Sequence, residues 1–303
     1  MKEDFYKQLA NFMKKEQILL DEPMSKHTTF RVGGPADYFI IPKSIKELQK
    51  AVTLSKQYKI PYYIIGNGSN ILVSDDGYRG VIIQIYKELD YIEVVGETIY
   101  VQAGVLLSKI ANEAFIHELT GVEFAAGIPG TLGGACMMNA GAYGGEMKDV
   151  LQDITVLDEN GNVRILQKDE LALGYRTSVV AKRGYIVLGA TLVLEKGVSE
   201  MIRSRMEELR AKRIAKQPLE YPSAGSTFKR PKGHYAGQLI QEAGLCGFQV
   251  GGAQVSEKHC GFIINKDQAT ATDVLQLMNE VVERVRKHSG VTIEPEVKRL
   301  GEF

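Results

Sequence analysis

Apolar and polar positions follow two different periods along the chain, which predicts a mixture of helices and strands. Apolar residues at helical spacing, with Ser44 as an N-cap and Glu47 completing a capping box, predict a helix over 44–58. Further helices are predicted over the first twenty residues and over 108–118, 199–216, 236–244 and 273–288. Strand patterns cover 28–41, 62–65, 71–73, 81–85, 99–102, 154–157, 163–166, 185–194, 261–265 and 291–300, with a hairpin at Asn160-Gly161.

One loop between two predicted strands is rich in glycine and small polar residues. It reads Gly66-Asn67-Gly68-Ser69-Asn70. Glycine lets backbone amides approach a pyrophosphate, and Asn and Ser add short polar partners. A Rossmann fingerprint needs a third glycine and a helix directly after the loop, and both are missing here. The loop therefore predicts a phosphate cradle between strands, with an ordinary hairpin turn as the alternative.

A second stretch, over residues 127–145, is also dense in small residues. Such backbone can carry a phosphate or a flat ligand directly, whereas tight helix packing is the alternative. Two glycine-rich segments about sixty residues apart favour a bound nucleotide more strongly than one. The candidate cofactor-binding residues in this second stretch are Gly127, Ile128, Pro129, Gly130, Thr131, Gly133, Gly134, Asn139, Gly141 and Ala142.

Three polar features could carry chemistry. Arg176 follows Tyr175 and could stabilise a carboxylate or a developing enolate, although a surface contact is the common role of such a pair. Ser226 lies on a Gly-Ser turn between prolines, so it presents either a reactive hydroxyl or an ordinary polar loop. Strand alternation places Glu296 and Lys298 on one face near the C-terminus, where a buried carboxyl could carry a proton.

Composition limits the class of protein. The 303 residues suffice for two or three domains, and Lys+Arg and Asp+Glu both number 37, which gives no broad footprint for nucleic acid or anionic membrane. Cys136, Cys246 and Cys260 are odd in number and widely spaced, so we expect neither a disulfide framework nor a zinc site, as fits a reducing cytoplasm. His259 is a lone histidine without metal-ligand spacing. We find no signal-peptide core and no apolar run of about 20 residues.

Taken in order, these motifs resemble one family. The resemblance runs from about residue 27 to 301 and is carried by Phe30-Arg31-Val32-Gly33-Gly34-Pro35-Ala36, the 66–70 loop, Gly127-Ile128-Pro129-Gly130-Thr131, Asn139-Ala140-Gly141-Ala142, Tyr175-Arg176, Ala224-Gly225-Ser226-Thr227-Phe228-Lys229 and Glu294-Pro295-Glu296-Val297. The chain is similar to the UDP-N-acetylenolpyruvoylglucosamine reductases, also called UDP-N-acetylmuramate dehydrogenases.

The resemblance implies an α+β flavoenzyme of bacterial peptidoglycan synthesis. It implies non-covalent FAD between two α+β subdomains of the vanillyl-alcohol-oxidase type, with a C-terminal α+β domain over the substrate. The implied domains are 1–60, completed by 291–303, then 61–197 and 198–290. A change of character after Lys196-Gly197 agrees with the last boundary.

The resemblance also implies a reaction. NADPH would reduce the flavin and leave, and hydride would then pass to the terminal carbon of the enolpyruvyl ether of UDP-N-acetylglucosamine. By analogy, Arg176 and Glu296 polarise the substrate carboxylate and Ser226 donates the proton. The positions that match substrate contacts in the family are Tyr175, Lys216, Arg230, His259 and Lys298.

The chain departs from one branch of the family. It has no room for a long insertion between Arg176 and Lys216, so it resembles the short-loop branch, and Arg230 stands where the other branch has asparagine. An FAD oxidase of the same fold and a nucleotide-sugar binding module without redox chemistry remain alternatives. We expect a cytoplasmic enzyme with a small-molecule substrate and no nucleic acid, membrane or obligatory protein partner.

Overall fold

The structure is a computed structural model that describes the backbone of residues 2–303 and the side chains of 3–303. The helices are α1 Lys2–Ala10, α2 Ile45–Gln57, α3 Leu107–Ile116, α4 Leu132–Met138, α5 Met147–Val150, α6 Val179–Arg183, α7 Ser199–Lys216, α8 Ala236–Glu242 and α9 Ala271–Ser289. None of these described helices combines the length and apolar character needed to cross a bilayer.

Short strands alternate with the helices along most of the chain. They are β1 Ile18–Pro23, β2 Pro35–Ile40, β3 Tyr62–Ile65, β4 Ile71–Val73, β5 Tyr78–Gln84, β6 Ile92–Val95, β7 Thr98–Gln102, β8 Leu119–Thr120, β9 Gly141–Ala142, β10 Gly145–Glu146, β11 Leu151–Leu157, β12 Val163–Gln167, β13 Ile186–Val193, β14 Glu195–Lys196, β15 Ser223–Ser226, β16 Gln249–Val250, β17 Ala253–Val255, β18 Phe262–Asn265 and β19 Lys298–Leu300.

The chain divides into two compact units, each built from separate segments. The first unit comprises the chain up to Leu19 together with Phe39–Asn67 and Val81–Arg213. The second comprises Leu20–Tyr38, Gly68–Gly80 and Ile214–Phe303. The finer division into three domains stays a prediction.

In the first unit, a five-stranded antiparallel sheet has the order β12-β11-β13-β7-β6. β11 and β12 form the predicted hairpin, with Leu157 paired to Val163 at its closed end. The carboxylate of Asp158 holds the turn by accepting the backbone N–H groups of Asn160 and Asn162, both at 2.9 Å. The hairpin predicted from the Asn-Gly pair is therefore confirmed.

The glycine-rich loop at 66–70 does not close a hairpin. β3 pairs in parallel with β5, in a sheet of order β1-β2-β5-β3, whereas β4 pairs in parallel with β19. The two strands flanking the loop therefore have different partners, which excludes the hairpin alternative. The loop connects two strands that belong to different sheets.

The second unit contains an antiparallel sheet of order β15-β18-β17-β16. α8 and α9 enclose a core with this sheet, which includes Phe30, Phe228, Ile240, Ile263 and Leu277. The register between β15 and β18 shifts between Ser223 and Ser226, as at a β-bulge. Such an irregularity redirects side chains, and Ser226 lies at its end.

The N-terminal helix is shorter than predicted. It ends at Ala10, so the predicted helix is wrong beyond that residue, and its first residue, Met1, lies outside the described chain. The buried side chain of Gln17 explains the change. Its amide donates to the Ile41 carbonyl at 2.9 Å and to the Glu47 carboxylate at 2.7 Å, which draws the chain away from a helical path.

The C-terminal strand is also shorter than predicted. β19 covers only Lys298–Leu300, so the prediction is wrong over 291–297. Pro295 has no N–H for a ladder, and the residues on either side of it hydrogen-bond to the turn at 227–229. Consequently Glu296 is only 7% exposed while Glu294 is exposed, and the predicted alternation breaks here.

The expectation of no disulfide is wrong. Cys246 and Cys260 are bonded, with their Cα atoms 5.4 Å apart, whereas Cys136 is free and buried. The two bonded cysteines flank the β16–β17 hairpin, which folds back and brings them together. No short spacing motif marks such a pair, because the hairpin between them creates the proximity.

Candidate functional site

The two glycine-rich segments meet in the first unit. The side-chain amide of Asn67 donates to the carbonyl of Pro129 at 2.8 Å, across 62 positions of sequence. A Cβ atom at Gly66 would overlap the hydroxyl of Thr131. The two segments are therefore in direct contact, with Gly66 against the side chain of Thr131, and a side chain at Gly66 would push them apart.

The second half of the first loop lies in the second unit and contacts the C-terminal segment. Gly68 has φ +64°, and a Cβ there would overlap the carbonyl oxygen of His27. The Asn70 amide donates to the Glu296 carbonyl at 3.4 Å, and the Asn70 carbonyl accepts the N–H of Lys298 at 3.0 Å. The loop thus brings Glu296 and Lys298, both predicted site residues, beside a predicted cofactor residue.

Not every glycine of the second stretch offers its backbone to a ligand. The N–H of Gly133 donates to the Ala103 carbonyl at 2.9 Å, and the buried glycine packs against Ala103. Gly134 is exposed, and its N–H donates to the Thr131 hydroxyl that caps α4. Gly133 therefore contributes through packing, which was the alternative interpretation of this stretch.

Asn139 connects this glycine-rich stretch to the turn that contains Arg176. It ends α4 in the left-handed region with φ +46°, and its side-chain oxygen accepts the N–H of Lys148 at 2.8 Å. Its amide donates to the Glu146 carboxylate and to the Gly174 carbonyl, the latter at 3.2 Å. Gly141 and Ala142 form β9, so this glycine-rich stretch is ordered structure.

Arg176 lies in a tight turn closed by hydrogen bonds between Gly174 and Thr177. Its φ of +55° is in the left-handed region, a conformation that costs a non-glycine residue about 1–3 kcal/mol. The guanidinium stacks 5.2 Å from the ring centre of Tyr175, which is 55% exposed. The Ser178 hydroxyl anchors the turn by donating to the Met137 carbonyl, in the last turn of α4, at 2.7 Å. The backbone at Arg176 is therefore held in a strained conformation by the bonds of its turn.

Ser226 and Glu296 lie on adjacent segments of the second unit. The Thr227 carbonyl accepts the N–H of Glu296 at 2.8 Å, which places Glu296 opposite the residue after Ser226. The Ser226 hydroxyl is exposed and donates only a long bond of 3.3 Å, to the carbonyl of Phe228. The exposed hydroxyl of Ser226 and the buried Glu296 therefore lie on either side of the backbone hydrogen bond between Thr227 and Glu296.

His259 belongs to the same neighbourhood. The N–H of Thr227 donates to the carbonyl of Gly261 at 2.8 Å, so the turn containing His259 lies beside Ser226. Burial lowers the pKa of His259, and the nearby Lys216 cation lowers it further. The N–H of Gly261 donates to its Nδ1 at 3.1 Å, which favours a neutral ring protonated on Nε2.

The remaining predicted substrate residues of this unit are cationic and exposed. The Arg230 guanidinium lies 3.8 Å from the ring centre of Tyr235, and Lys216 and Lys298 are exposed. The second unit therefore presents three cations with Ser226 and Glu296. Such a set suits a strongly anionic ligand.

Two buried polar atoms lack a hydrogen-bond partner within the described chain, and both lie beside predicted cofactor loops. One is the hydroxyl of Thr29, whose N–H donates to the Gly68 carbonyl at 3.1 Å. The other is Nε of Arg213, whose guanidinium fills the space over Gly127. Buried polar groups are normally paired, so both loops fit a polar cofactor such as FAD.

The sequence missed Thr29 and Arg213. Arg213 is one of several basic residues on α7, and no sequence signal separates it from exposed neighbours. In the structure its guanidinium stacks 5.6 Å from the ring centre of Tyr143, and burial lowers its pKa. No cluster of three or more His, Cys, Asp or Glu side chains suited to a metal ion occurs within the described residues.

Two family models match the chain. The model described as FAD binding domain matches residues 36–167, which include both glycine-rich segments. The model described as UDP-N-acetylenolpyruvoylglucosamine reductase, C-terminal domain, matches residues 217–300, which include Ser226, His259 and Glu296.

Curated relatives match over the full length. The UDP-N-acetylenolpyruvoylglucosamine reductase of Caldanaerobacter subterraneus subsp. tengcongensis is 51% identical over 302 residues, covering 100% of both chains. The protein of the same name from Agathobacter rectalis is 52% identical over 315 residues, again covering 100% of both.

Solved structures agree. The crystal structure of UDP-N-acetylenolpyruvylglucosamine reductase from Thermus caldophilus aligns with a TM-score of 0.81 at 36% identity, covering 94% of this chain and 100% of that one. A berberine bridge enzyme variant aligns with a TM-score of 0.50 at 16% identity over 65% of this chain and 44% of its own, which shows the fold alone. The fold is α+β, with an FAD-binding part of the vanillyl-alcohol-oxidase type. The chain belongs to the family of UDP-N-acetylenolpyruvoylglucosamine reductases.

Proposed function

We propose that the chain reduces the enolpyruvyl group of UDP-N-acetylglucosamine enolpyruvate with NADPH, giving UDP-N-acetylmuramate for peptidoglycan precursor synthesis, and that Arg176, Ser226 and Glu296 carry the chemistry. Family membership over the full length supports the activity. The observation that supports the residue roles best is the 2.8 Å hydrogen bond that brings Glu296 opposite Thr227, next to Ser226.

FAD would be held by the loop at 66–70 and by the segment containing Gly127 and Asn139. Thr29 and Arg213 supply the unpartnered polar atoms beside these loops. Bound FAD supplies two-electron transfer between NADPH and the terminal carbon of the enolpyruvyl group. The protein's part is to position the substrate, stabilise charge and deliver a proton.

Ser226 is the proposed proton donor. Reduction of a carbon–carbon double bond needs a proton at the second carbon, and a donor must reach it within hydrogen-bond distance. The hydroxyl of Ser226 is exposed, and its 3.3 Å bond to the Phe228 carbonyl is long enough to exchange for a substrate contact. A serine is a weak acid, so the transfer depends on the negative charge that develops at the acceptor carbon.

Arg176 and Glu296 are the proposed charge-stabilising pair. A guanidinium stabilises the carboxylate oxygens as they gain charge during reduction, and the hydrogen-bonded turn restrains the backbone that carries it. Glu296 is 7% exposed, and we propose that its carboxyl is protonated in the complex and donates to the same carboxylate.

The substrate would be recognised by its charge. We propose that Lys216, Arg230 and Lys298 contact the diphosphate and carboxylate, with Tyr175 and His259 contacting the remainder. The substrate is a small molecule, and the proposal requires no nucleic acid, membrane or protein partner. We place the reaction in the cytoplasm, where NADPH and nucleotide sugars are supplied.

Anaerobic spectroscopy tests the activity. The purified protein should be yellow, bleach with NADPH and regain its colour when the enolpyruvyl substrate is added. A colourless protein would support a binding module. Rapid recovery in air without any response to the substrate would support an oxidase.

A further inference from the structure

We propose that Cys246 and Cys260 form a thiol–disulfide exchange site whose oxidation state controls affinity for the enolpyruvyl substrate. The proposal rests on the function proposed above, because it concerns the same site. It names a modification site with dithiol reductants as its chemical partners.

The two sulfurs differ in access. Cys246 is exposed, in the turn between α8 and β16, whereas Cys260 is buried in the turn between β17 and β18. An exposed sulfur can be attacked by an external thiolate, and exposed disulfides are the labile ones. Disulfides in the cytoplasm are characteristically transient or redox-sensing, so a bond accessible at one end is suited to exchange there.

The bond is coupled to the candidate site by two backbone hydrogen bonds. The carbonyl of Gly261, adjacent to Cys260, accepts the N–H of Thr227 at 2.8 Å. The carbonyl of Thr227 accepts the N–H of Glu296, also at 2.8 Å. The hydroxyl of Thr227 further accepts the N–H of Ile263 at 3.0 Å, so this residue is fixed from three sides.

The turn that the disulfide restrains also carries a substrate candidate. His259 directly precedes Cys260, and its ring packs edge-on against Phe262 with centres 4.9 Å apart. The Ser256 hydroxyl accepts the N–H groups of Lys258 and His259 at 3.2 and 3.3 Å, which are long bonds. Backbone bonds at 2.9 Å from Ser256 to Phe262 and from Phe262 to His259 close the base of this turn, and the covalent link to Cys246 adds a restraint at Cys260.

The exchange reaction balances without a further reactant. One thiolate of a dithiol attacks the Cys246 sulfur, the bond between the cysteines breaks, and Cys260 leaves as a thiolate that takes up a proton. The second thiol of the reductant then attacks the mixed disulfide and releases Cys246. The protein disulfide gains two electrons and two protons, and the dithiol is oxidised to its disulfide.

The third cysteine is an internal control. Cys136 is fully buried in α4, in the other unit, and burial raises its pKa to about 12. The thiolate is the reactive form, so Cys136 is inert in the folded protein. The Cys136→Ser variant should therefore keep the full redox response.

Cysteine labelling tests the disulfide independently of activity. The holoenzyme is incubated with oxidised or reduced dithiothreitol, unfolded, and alkylated before mass spectrometry. The oxidised sample should carry one label, on Cys136, and the reduced sample three. Three labels in the oxidised sample would overturn the proposal whether or not the enzyme is active.

Steady-state kinetics test whether the disulfide controls affinity for the substrate. The reduced holoenzyme should show a KM for the enolpyruvyl substrate raised about 5-fold or more, the lower end of typical coupling between sites, with unchanged flavin content. The Cys246→Ser variant should show the raised KM with oxidised and with reduced dithiothreitol. Because Cys246 is exposed, this substitution tests the proposal without disturbing the core. Equal KM values for the two redox forms would overturn the proposal. If neither form consumes the substrate while the labelling result holds, the proposed function is what has failed.

Discussion

Gly68 tests whether the first glycine-rich loop needs glycine for a steric reason. It has φ +64°, and a Cβ atom there would overlap the backbone oxygen of His27, which cannot move aside as a flexible side chain would. Gly290, which ends α9, has φ +73°, and no atom lies within 4 Å of the position that a Cβ atom would take there. Both glycines have a left-handed backbone conformation, but only Gly68 lacks room for a Cβ atom. Gly290→Ala is therefore the matched control for Gly68→Ala.

The expected losses of unfolding free energy follow from these two observations. Placing alanine in the left-handed region costs about 1–2 kcal/mol, and Gly290→Ala should lose only this amount. Gly68→Ala adds overpacking against backbone, which costs about 1–3 kcal/mol more. The total expected for Gly68→Ala is therefore about 2–5 kcal/mol.

Urea unfolding of the flavin-free proteins, followed by circular dichroism, measures both losses. Flavin content per protein provides a second measurement, since only Gly68→Ala should lower it. Equal unfolding midpoints and equal flavin contents for the two variants would refute the steric argument for this loop.

Three further predictions concern other parts of the molecule. Arg213→Met should weaken FAD binding roughly tenfold or more through loss of a charged hydrogen bond, measured by fluorescence titration, whereas the exposed Arg210→Met should not. The pKa of His259 in the folded state is lowered below its ordinary 6.5, so the unfolded state takes up the proton first as the pH falls. The contribution to stability should be full above pH 6.5 and be lost as the pH falls through the lower folded-state pKa. Urea midpoints should therefore decline less with falling pH in His259→Gln than in the unchanged protein. Reduction of the disulfide should lower the unfolding free energy by up to about 3 kcal/mol, measured with and without dithiothreitol.

Local signals in the sequence were sufficient where one short segment determines its own structure. The N-cap at Ser44 is present, with its hydroxyl accepting the N–H of Glu47 at 3.1 Å. The Glu47 carboxylate, however, accepts the N–H of Lys43 at 2.7 Å, so the second bond of the predicted capping box goes to a different partner. The long helix α7 has the predicted bounds.

Features that depend on distant segments could not be predicted in this way. The buried Gln17 ends the N-terminal helix through bonds to residues 24 and 30 positions away, and the disulfide depends on the hairpin between its cysteines. Arg213 is distinguished by its buried Nε and by its position over Gly127, and no sequence motif contains it. For the site, the sequence supplied candidate residues through a family resemblance, and the structure adds the hydrogen bonds that join Ser226, His259 and Glu296.

Single-turnover kinetics of Ser226→Ala measure the central claim most directly. NADPH should bleach the flavin of this variant at the normal rate, whereas return of colour with the enolpyruvyl substrate should slow about 100-fold or more, as expected for loss of a proton donor. Ser223→Ala, at the other end of the same strand, should be normal in both steps. A Ser226→Ala enzyme that completes both steps at the normal rate would contradict the account.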